Sequence, residues 1–330
     1  MSELVRAPGR VNLIGDHTDY TGGLVFPMAI DRWTRIEYTV GGARVELTSA
    51  DEPDPLSFEL PVEIDPATTR PRWGRYVAAM AAELGAATGL SGSVSTGIPV
   101  GAGLSSSAAL EIAVGLALGH RGPPLDLALL GQRAEHRATG VPTGIMDQLC
   151  IAAAVEGHAM LIDCTTFDVT PSPVPDDIEV VVRFVAHRTL EGSEYTERVA
   201  QCAAAGAVIG PLRAARPDDV AAIADPVVRA RARHVVTENA RVRTFAAALA
   251  GGDYRAAGEV MTDGHRSLRD DFATSTAVMD SAVEELCATS GVFGARMTGG
   301  GFGGCVVALC EPGAVTDGWI VRPVGGAARY

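Results

Sequence analysis

Residues 98–115 read IPVGAGLSSSAALEIAVG, a run of small residues that passes through three serines into a long apolar helix. Gly101 and Gly103 free the backbone for positive φ angles and close approach to a ligand, with Leu104 between them and the serines. Ser105, Ser106 and Ser107 open the helix, so its free N–H groups and positive dipole end face whatever occupies the loop. That is an anion site built largely from main chain. A serine hydroxyl at such a helix start can also ligate Mg²⁺. Each feature alone more often marks a glycine turn with serine caps. Five small residues ahead of three serines and an apolar helix favour phosphate.

The rest of the composition sharpens that reading. All 27 basic residues are arginines, because the chain contains no lysine. Walker-type phosphate loops, Schiff-base enzymes and pyridoxal enzymes each need a lysine amine and are therefore excluded. The net charge of -13 argues against a nucleic-acid backbone or an anionic membrane as partner. A main-chain anion site is what a polyphosphate would need in such a protein. With 330 residues, the usual domain size of ~150 predicts two domains. No run approaches the ~18 unbroken apolar residues of a membrane span. No secretory pattern opens the chain, so a cytoplasmic protein is expected. Cys150, Cys164, Cys202, Cys287, Cys305 and Cys310 show no zinc spacing and are expected as reduced, buried thiols.

Strand-like alternation runs through residues 24–48, and 51–72 read as loop with one short strand. Helices are predicted over 73–89, 105–119 and 125–139, and another from a Thr143 cap; strand, helix and a final strand follow beyond 178. The Pro and Asp cluster TPSPVPDD (170–177) is the best boundary, dividing the chain into 1–172 and 173–330. The mixture indicates an α+β protein.

Two more segments carry chemistry. In RAEHRATGVPTGIMDQL (133–149), Glu135 lies inside one helix and Asp147 falls in the first turn of the next. A helix amino terminus favours a charged carboxylate, so Asp147 is expected to be ionised and able to accept a hydroxyl proton. A dipole complement and a solvated helix glutamate explain the same two residues equally well, and both readings stay open at this level. GARMTGGGFGGCVVALC (294–310) has glycines spaced like a dinucleotide fingerprint. It precedes a strand near the chain end, which rules that role out. A turn that packs two backbones closely, and covers a ligand, fits better.

Together with APGRVNLIGDHTDYTGG (7–23), these segments resemble, in order, the three signatures of the GHMP kinase family, and within it the galactokinases. GIMDQ (144–148), GSEYTERVAQC (192–202) and HRSLRDDF (265–272) extend the resemblance along the chain. It implies a GHMP kinase fold of two α+β domains with the active site in the cleft between them, the second domain ferredoxin-like. It further implies that ATP and Mg²⁺ are used to phosphorylate the anomeric C1 hydroxyl of galactose, so sugar and nucleotide are the expected partners.

By position, Asp16, His17 and Asp19 would bind sugar hydroxyls, with Gly144 and Tyr195 completing the pocket. Arg10 would sit by the anomeric oxygen and the transferring phosphoryl group. Asp147 would take the C1 hydroxyl proton. Ser107 and Glu135 would hold Mg²⁺, the loop 101–107 would wrap the phosphates, and Trp73 would lie beside the adenine. Galactokinases usually carry glutamate where this chain has Asp16, one methylene shorter, which opens the choice between galactose and sugars differing at C6, such as L-arabinose or galacturonate. Thr143 stands where cysteine is frequent, and Val199 replaces one of two common arginines. A silent sugar-sensing regulator is the rival class; the intact Ser107-Ala108 and Asp147 argue against it. The opening GDHTDY speaks against mevalonate or homoserine kinases.

Overall fold

The computed structural model describes residues 2–187 and 193–330. The first half of the chain runs β1 (Glu3–Asn12), β2 (Leu24–Val25), β3 (Pro27–Val40), β4 (Arg44–Ser49), β5 (Leu56–Glu59), α1 (Gly74–Leu84) and β6 (Leu90–Thr96). It continues through α2 (Ser106–Ala117), α3 (Pro124–Thr139), α4 (Met146–Ala153), β7 (His158–Asp163) and β8 (Val169–Pro173). The second half comprises β9 (Glu179–Ala186), α5 (Ser193–Ile209), α6 (Pro226–Ala250), α7 (Tyr254–Ser267), α8 (Ala277–Ala288), β10 (Val292–Met297), β11 (Gly304–Cys310), β12 (Trp319–Val321) and β13 (Ala328–Arg329). The fold is α+β.

A six-stranded sheet has the order β13-β1-β3-β6-β4-β5, antiparallel except where β4 meets β6. Helix α2 lies across β1 and β3, with α1, α3 and α4 around it. The sequence explains this placement: α2 is apolar on nearly every face, and a helix without a polar side must be buried. A four-stranded antiparallel sheet has the order β10-β11-β9-β12. Its strand β11, GCVVALC, is buried at every residue, as an unbroken run without polar side chains in a central position requires. Helices α7 and α8 cover β10. A three-stranded sheet, β2-β7-β8, completes the set among the described residues.

The chain closes on itself, since β13 pairs with Val5 and Arg6 of β1. Proline at the first helical turn opens α3 and α6, and the Asp225 side chain accepts from two backbone N–H groups at the start of α6. Within the strand-like residues 24–48, Pro27 to Val40 form one continuous strand. The end of the TPSPVPDD segment nearest the amino terminus is also strand, in β8. Five cysteines are buried free thiols, whereas Cys287 is exposed on α8, contrary to expectation, because apolar neighbours in sequence do not fix which helix face a residue occupies. No helix among the described residues is long and apolar enough to cross a membrane.

Candidate active site

The three glycine-rich segments, nearly 300 residues apart at the extremes, meet at the end of β1. The register of β1 on β3 shifts between Pro8 and Gly9, where β3 carries extra residues, and Arg10 follows directly. Arg10 donates its backbone N–H to Leu104 O at 3.1 Å and its Nη1 to Gly103 O at 2.6 Å. Thr298 ties the far segment to β1, accepting from Asn12 N–H and donating to Asn12 O, both at 3.0 Å. Gly304 (φ 100°) packs on the serine loop itself; a Cβ there would stand 2.9 Å from Ala102 O, so only glycine lets the backbones approach.

Gly101 and Gly103 take positive φ angles, 76° and 79°, as expected. Ser105 caps α2 in the left-handed region without a side-chain bond to the helix; its hydroxyl donates instead to Asp147 Oδ2. Ser106 and Ser107 form the first turn of α2 and are half-buried. Asp147 lies in the first turn of α4, but the helix begins at Met146 with Ile145 at the cap position, so Thr143 is not its cap. The Thr143 hydroxyl donates to Glu135 Oε2 at 3.0 Å.

Arg10 and Asp147 form a two-pronged ion pair, Nε to Oδ1 at 2.7 Å and Nη2 to Oδ2 at 2.8 Å. The Asp147 side chain keeps 26% of its surface open, whereas Arg10 keeps 4%. Burial works against the Arg10 charge, but Asp147 and, behind it, Asp16 more than offset this and hold the guanidinium protonated. Asp19 meets the same group of charges. Burial and the neighbouring Asp147 carboxylate push its acid up to about 7.

Gly144 lies directly against Asp19, and a Cβ there would fall 1.9 Å from Asp19 Oδ2. Tyr195 joins them: its ring centroid is 5.5 Å from that of His17 and 5.6 Å from that of Tyr20. His17 (φ 65°) also stacks on Phe272 at 4.6 Å. Burial and then Asp19 raise the Tyr195 phenol well above its usual range, so it is a neutral hydroxyl. Gly192, the first residue of the GSEYTERVAQC motif, lies outside the described residues.

On the other side of Asp147, Ser107 Oγ donates to Glu135 Oε1 at 3.2 Å. Gln148 holds Glu135 Oε2 at 2.8 Å and Glu111 Oε2 at 3.0 Å. Burial and the nearby Asp147 raise the Glu135 acid, an environment that a bound cation would relieve. One hydroxyl and one fixed carboxylate suit Mg²⁺, which usually takes one or two protein ligands and fills its shell with water and phosphate oxygens. Among the described residues no group of three or more His, Cys, Asp or Glu is arranged for a metal.

Two of the expected residues stand apart. Trp73 is half-buried at the start of α1, where its indole N–H reaches Asp54 O at 3.4 Å. Asp16 is 1% exposed: Oδ2 pairs with Arg296 Nη2 at 2.9 Å and Oδ1 accepts from Gly299 N–H at 2.9 Å. The buried guanidinium of Arg296 thus holds the carboxylate that the resemblance assigns to a sugar hydroxyl.

Family models match in three places. The galactokinase galactose-binding signature covers residues 2–39, the GHMP kinases N-terminal domain 74–157 and the GHMP kinases C-terminal model 245–317. Human galactokinase is 41% identical over 352 aligned residues, spanning 99% of this chain and 88% of its own. The chain belongs to the galactokinase family. Galactokinase of Chloroflexus aggregans is likewise 41% identical over 99% of this chain and 88% of its own. The crystal structure of Lactococcus lactis galactokinase complexed with galactose superposes with a TM-score of 0.92 at 32% identity, covering 99% of this chain and 95% of that one. Mevalonate kinase of Methanococcus jannaschii, at TM-score 0.69 and 21% identity over 93% and 90% of the two chains, shares the fold alone. The family consists of ATP-dependent sugar kinases.

Beyond the residues that the motifs single out, this galactokinase-family site depends on Arg296, Glu238, Gln148 and Glu111. Glu111 is wholly buried on α2, where burial and Glu135 push its acid well above the ordinary range. Gln148 and Arg296 lie inside quoted motifs, so their neighbourhood was marked although their partners were not. A charged residue in an apolar helix was the available signal for Glu111. Nothing in the local pattern of α6 marks Glu238.

Proposed function

We propose that the protein is a galactose 1-kinase, transferring the γ-phosphoryl group of ATP to the anomeric C1 hydroxyl of D-galactose. The observation that carries this reading is the Arg10–Asp147 pair. It stands between a main-chain anion cradle, residues 101–107, and the polar pocket of His17, Asp19, Gly144 and Tyr195.

Asp147 is the proposed base. A carboxylate offers about four acceptor positions. Arg10 fills two and Ser105 a third, which leaves one for a substrate hydroxyl. As the C1 oxygen bonds to the γ-phosphorus and the bond to the β-phosphate oxygen breaks, the hydroxyl proton passes to Asp147. A guanidinium carries five N–H donors. Arg10 uses three, on Asp147 and Gly103, and the remaining two can meet charge on the transferring group. The α2 amino terminus faces the phosphates with its dipole and free N–H groups. Ser107 and Glu135 would hold Mg²⁺, which supplies charge neutralisation at the β and γ phosphates when bound. Trp73 is the proposed neighbour of adenine.

A second reading is favoured by one observation, the inward turn of Asp16: the accepted sugar extends to relatives of galactose that differ at C6. ADP release measured by a coupled assay across galactose, glucose, L-arabinose and galacturonate tests both. Sugar-dependent ADP release with galactose among the best substrates is expected. Turnover with none of the sugars would overturn the kinase reading, and a clear preference for galactose over every C6 variant would remove the second.

A further inference from the structure

We propose that Glu111 is a positioning residue for the metal site: from inside α2 it sets the Gln148 amide, which in turn fixes the Glu135 carboxylate for a divalent cation. The proposal rests on the reading of Ser107 and Glu135 as Mg²⁺ ligands. It adds the residue that decides which oxygen of Glu135 the cation meets.

Three helices supply the parts. Ser107 and Glu111 are four residues apart on α2 and share one face of that helix. Glu135 comes from α3, and Gln148 from α4, one residue after the proposed base Asp147. Glu111 and Gln148 are both 0% exposed. Gly131 of α3 makes room for the Gln148 side chain, since a Cβ there would stand 3.0 Å from Gln148 Cγ. The amide nitrogen carries two N–H donors and gives both to carboxyl oxygens, Glu135 Oε2 at 2.8 Å and Glu111 Oε2 at 3.0 Å. Its Oε1 is buried without a partner among the described residues, so these two bonds set the sense of the amide.

The consequence falls on Glu135. Its Oε2 accepts from the Thr143 hydroxyl at 3.0 Å as well as from Gln148, so that oxygen is occupied by the protein. Oε1 faces the Ser107 hydroxyl at 3.2 Å, which places the two proposed ligand oxygens side by side. Metal-binding carboxylates depend on such outer partners for their orientation, and losing one typically costs about 10- to 100-fold in metal affinity. Burial and Glu135 keep the Glu111 acid well above its usual range, so it meets the amide as a neutral group and adds no second negative charge beside Glu135. Without an acceptor at position 111, one Gln148 N–H is left buried and unpaired, and the amide is no longer held on Glu135.

Calorimetric titration with AMP-PNP, an ATP analogue that is not turned over, tests this in Mg²⁺ and again in EDTA. The ratio of the two dissociation constants is the gain that the cation supplies. We expect Glu111→Leu to lose about 10-fold or more of the parent's gain, with its affinity in EDTA unchanged. Glu111→Gln keeps an acceptor oxygen of the same shape and should stay within about 3-fold of the parent. An undiminished gain in Glu111→Leu would overturn the proposal. So would an equal loss in Mg²⁺ and in EDTA, which marks general damage to the nucleotide site, or a Glu111→Gln protein as impaired as Glu111→Leu. If Glu111→Leu does not fold, Gln148→Met removes the same bridge from its other end and is measured with the same expectation. Glu135→Gln separates this proposal from the reading beneath it: if that change abolishes the gain while Glu111→Leu keeps it, only the role of Glu111 fails. A parent without any gain from Mg²⁺, or a Glu135→Gln protein that keeps the gain, removes the metal reading and this proposal with it.

Discussion

Two arginine–aspartate pairs lie close together, and they differ in one respect. Arg10–Asp147 is closed on one side only: the guanidinium is 4% exposed and the carboxylate 26%. Arg296–Asp16 is closed on both, at 0% and 1%. An ion pair with an open carboxylate keeps an acceptor position for a substrate, whereas a pair with none can only hold the chain in place. The same chemistry thus yields a reactive group in one setting and a brace in the other. Burial decides which.

The largest effect is expected from breaking the closed pair. Arg296→Met leaves the Asp16 and Glu238 carboxylates buried without their shared cation, and such a loss costs about 3–5 kcal/mol. Urea unfolding measures it. Glu238 is held well below the usual carboxylate range, with burial outweighed by Arg296 and Arg241, so it stays ionised and feels the loss in full. A cost under about 1 kcal/mol would mean that the network is wet or exchangeable, and the contrast between the pairs would fail.

Breaking the open pair should spare the fold and cost rate. Asp147→Asn keeps the shape of the side chain and removes its basicity. A loss of at least ~100-fold in kcat is expected, about 2.7 kcal/mol of barrier, in a protein that still folds but melts lower than the parent because the buried Arg10 loses its counter-ion. Near-normal turnover would remove Asp147 as the base. A smaller effect follows from Gly144→Ala, whose methyl group would occupy the space of the Asp19 carboxylate. Displacing that carboxylate should raise the sugar KM by about 10- to 100-fold while KM for ATP stays fixed. Steady-state kinetics in both substrates would show whether the two change separately.

Much of this arrangement was legible before any coordinates. Glycines, serines and charges concentrated in three short segments mark backbone that must bend and face a ligand, and the structure brings those segments together. Elements with strong local signals, such as the apolar α2 and the apolar β11, formed as their patterns required. What was not legible is pairing at a distance. Asp16 and Arg296 are 280 positions apart, and no local rule chooses between a sugar hydroxyl and a guanidinium as partner. Glu238 sits in RARARHVVTENARVR, which looks like a solvated helix face, yet it is wholly buried. Thr143 has the composition of a cap and instead bonds Glu135, because α4 starts two residues later than the cap pattern suggests.

The smallest expected effect comes from Asp19, which belongs to neither pair but feels the open one. Its acid rises from an ordinary 3.8 to about 7, first through burial and then through the Asp147 carboxylate. The folded protein therefore binds this proton more tightly than the unfolded chain does. Stability falls as pH rises from about 4 to 7, and the full penalty is present above that range. Asparagine mimics the neutral acid and pays no such penalty. Asp19→Asn should accordingly raise the melting temperature over the parent by about 2–4 °C more at pH 8 than at pH 5, in the absence of substrates. Thermal unfolding at the two pH values measures this. A difference that does not depend on pH would show that Asp19 is already hydrated, and that the open side of the Arg10–Asp147 pair admits water as far as Gly144.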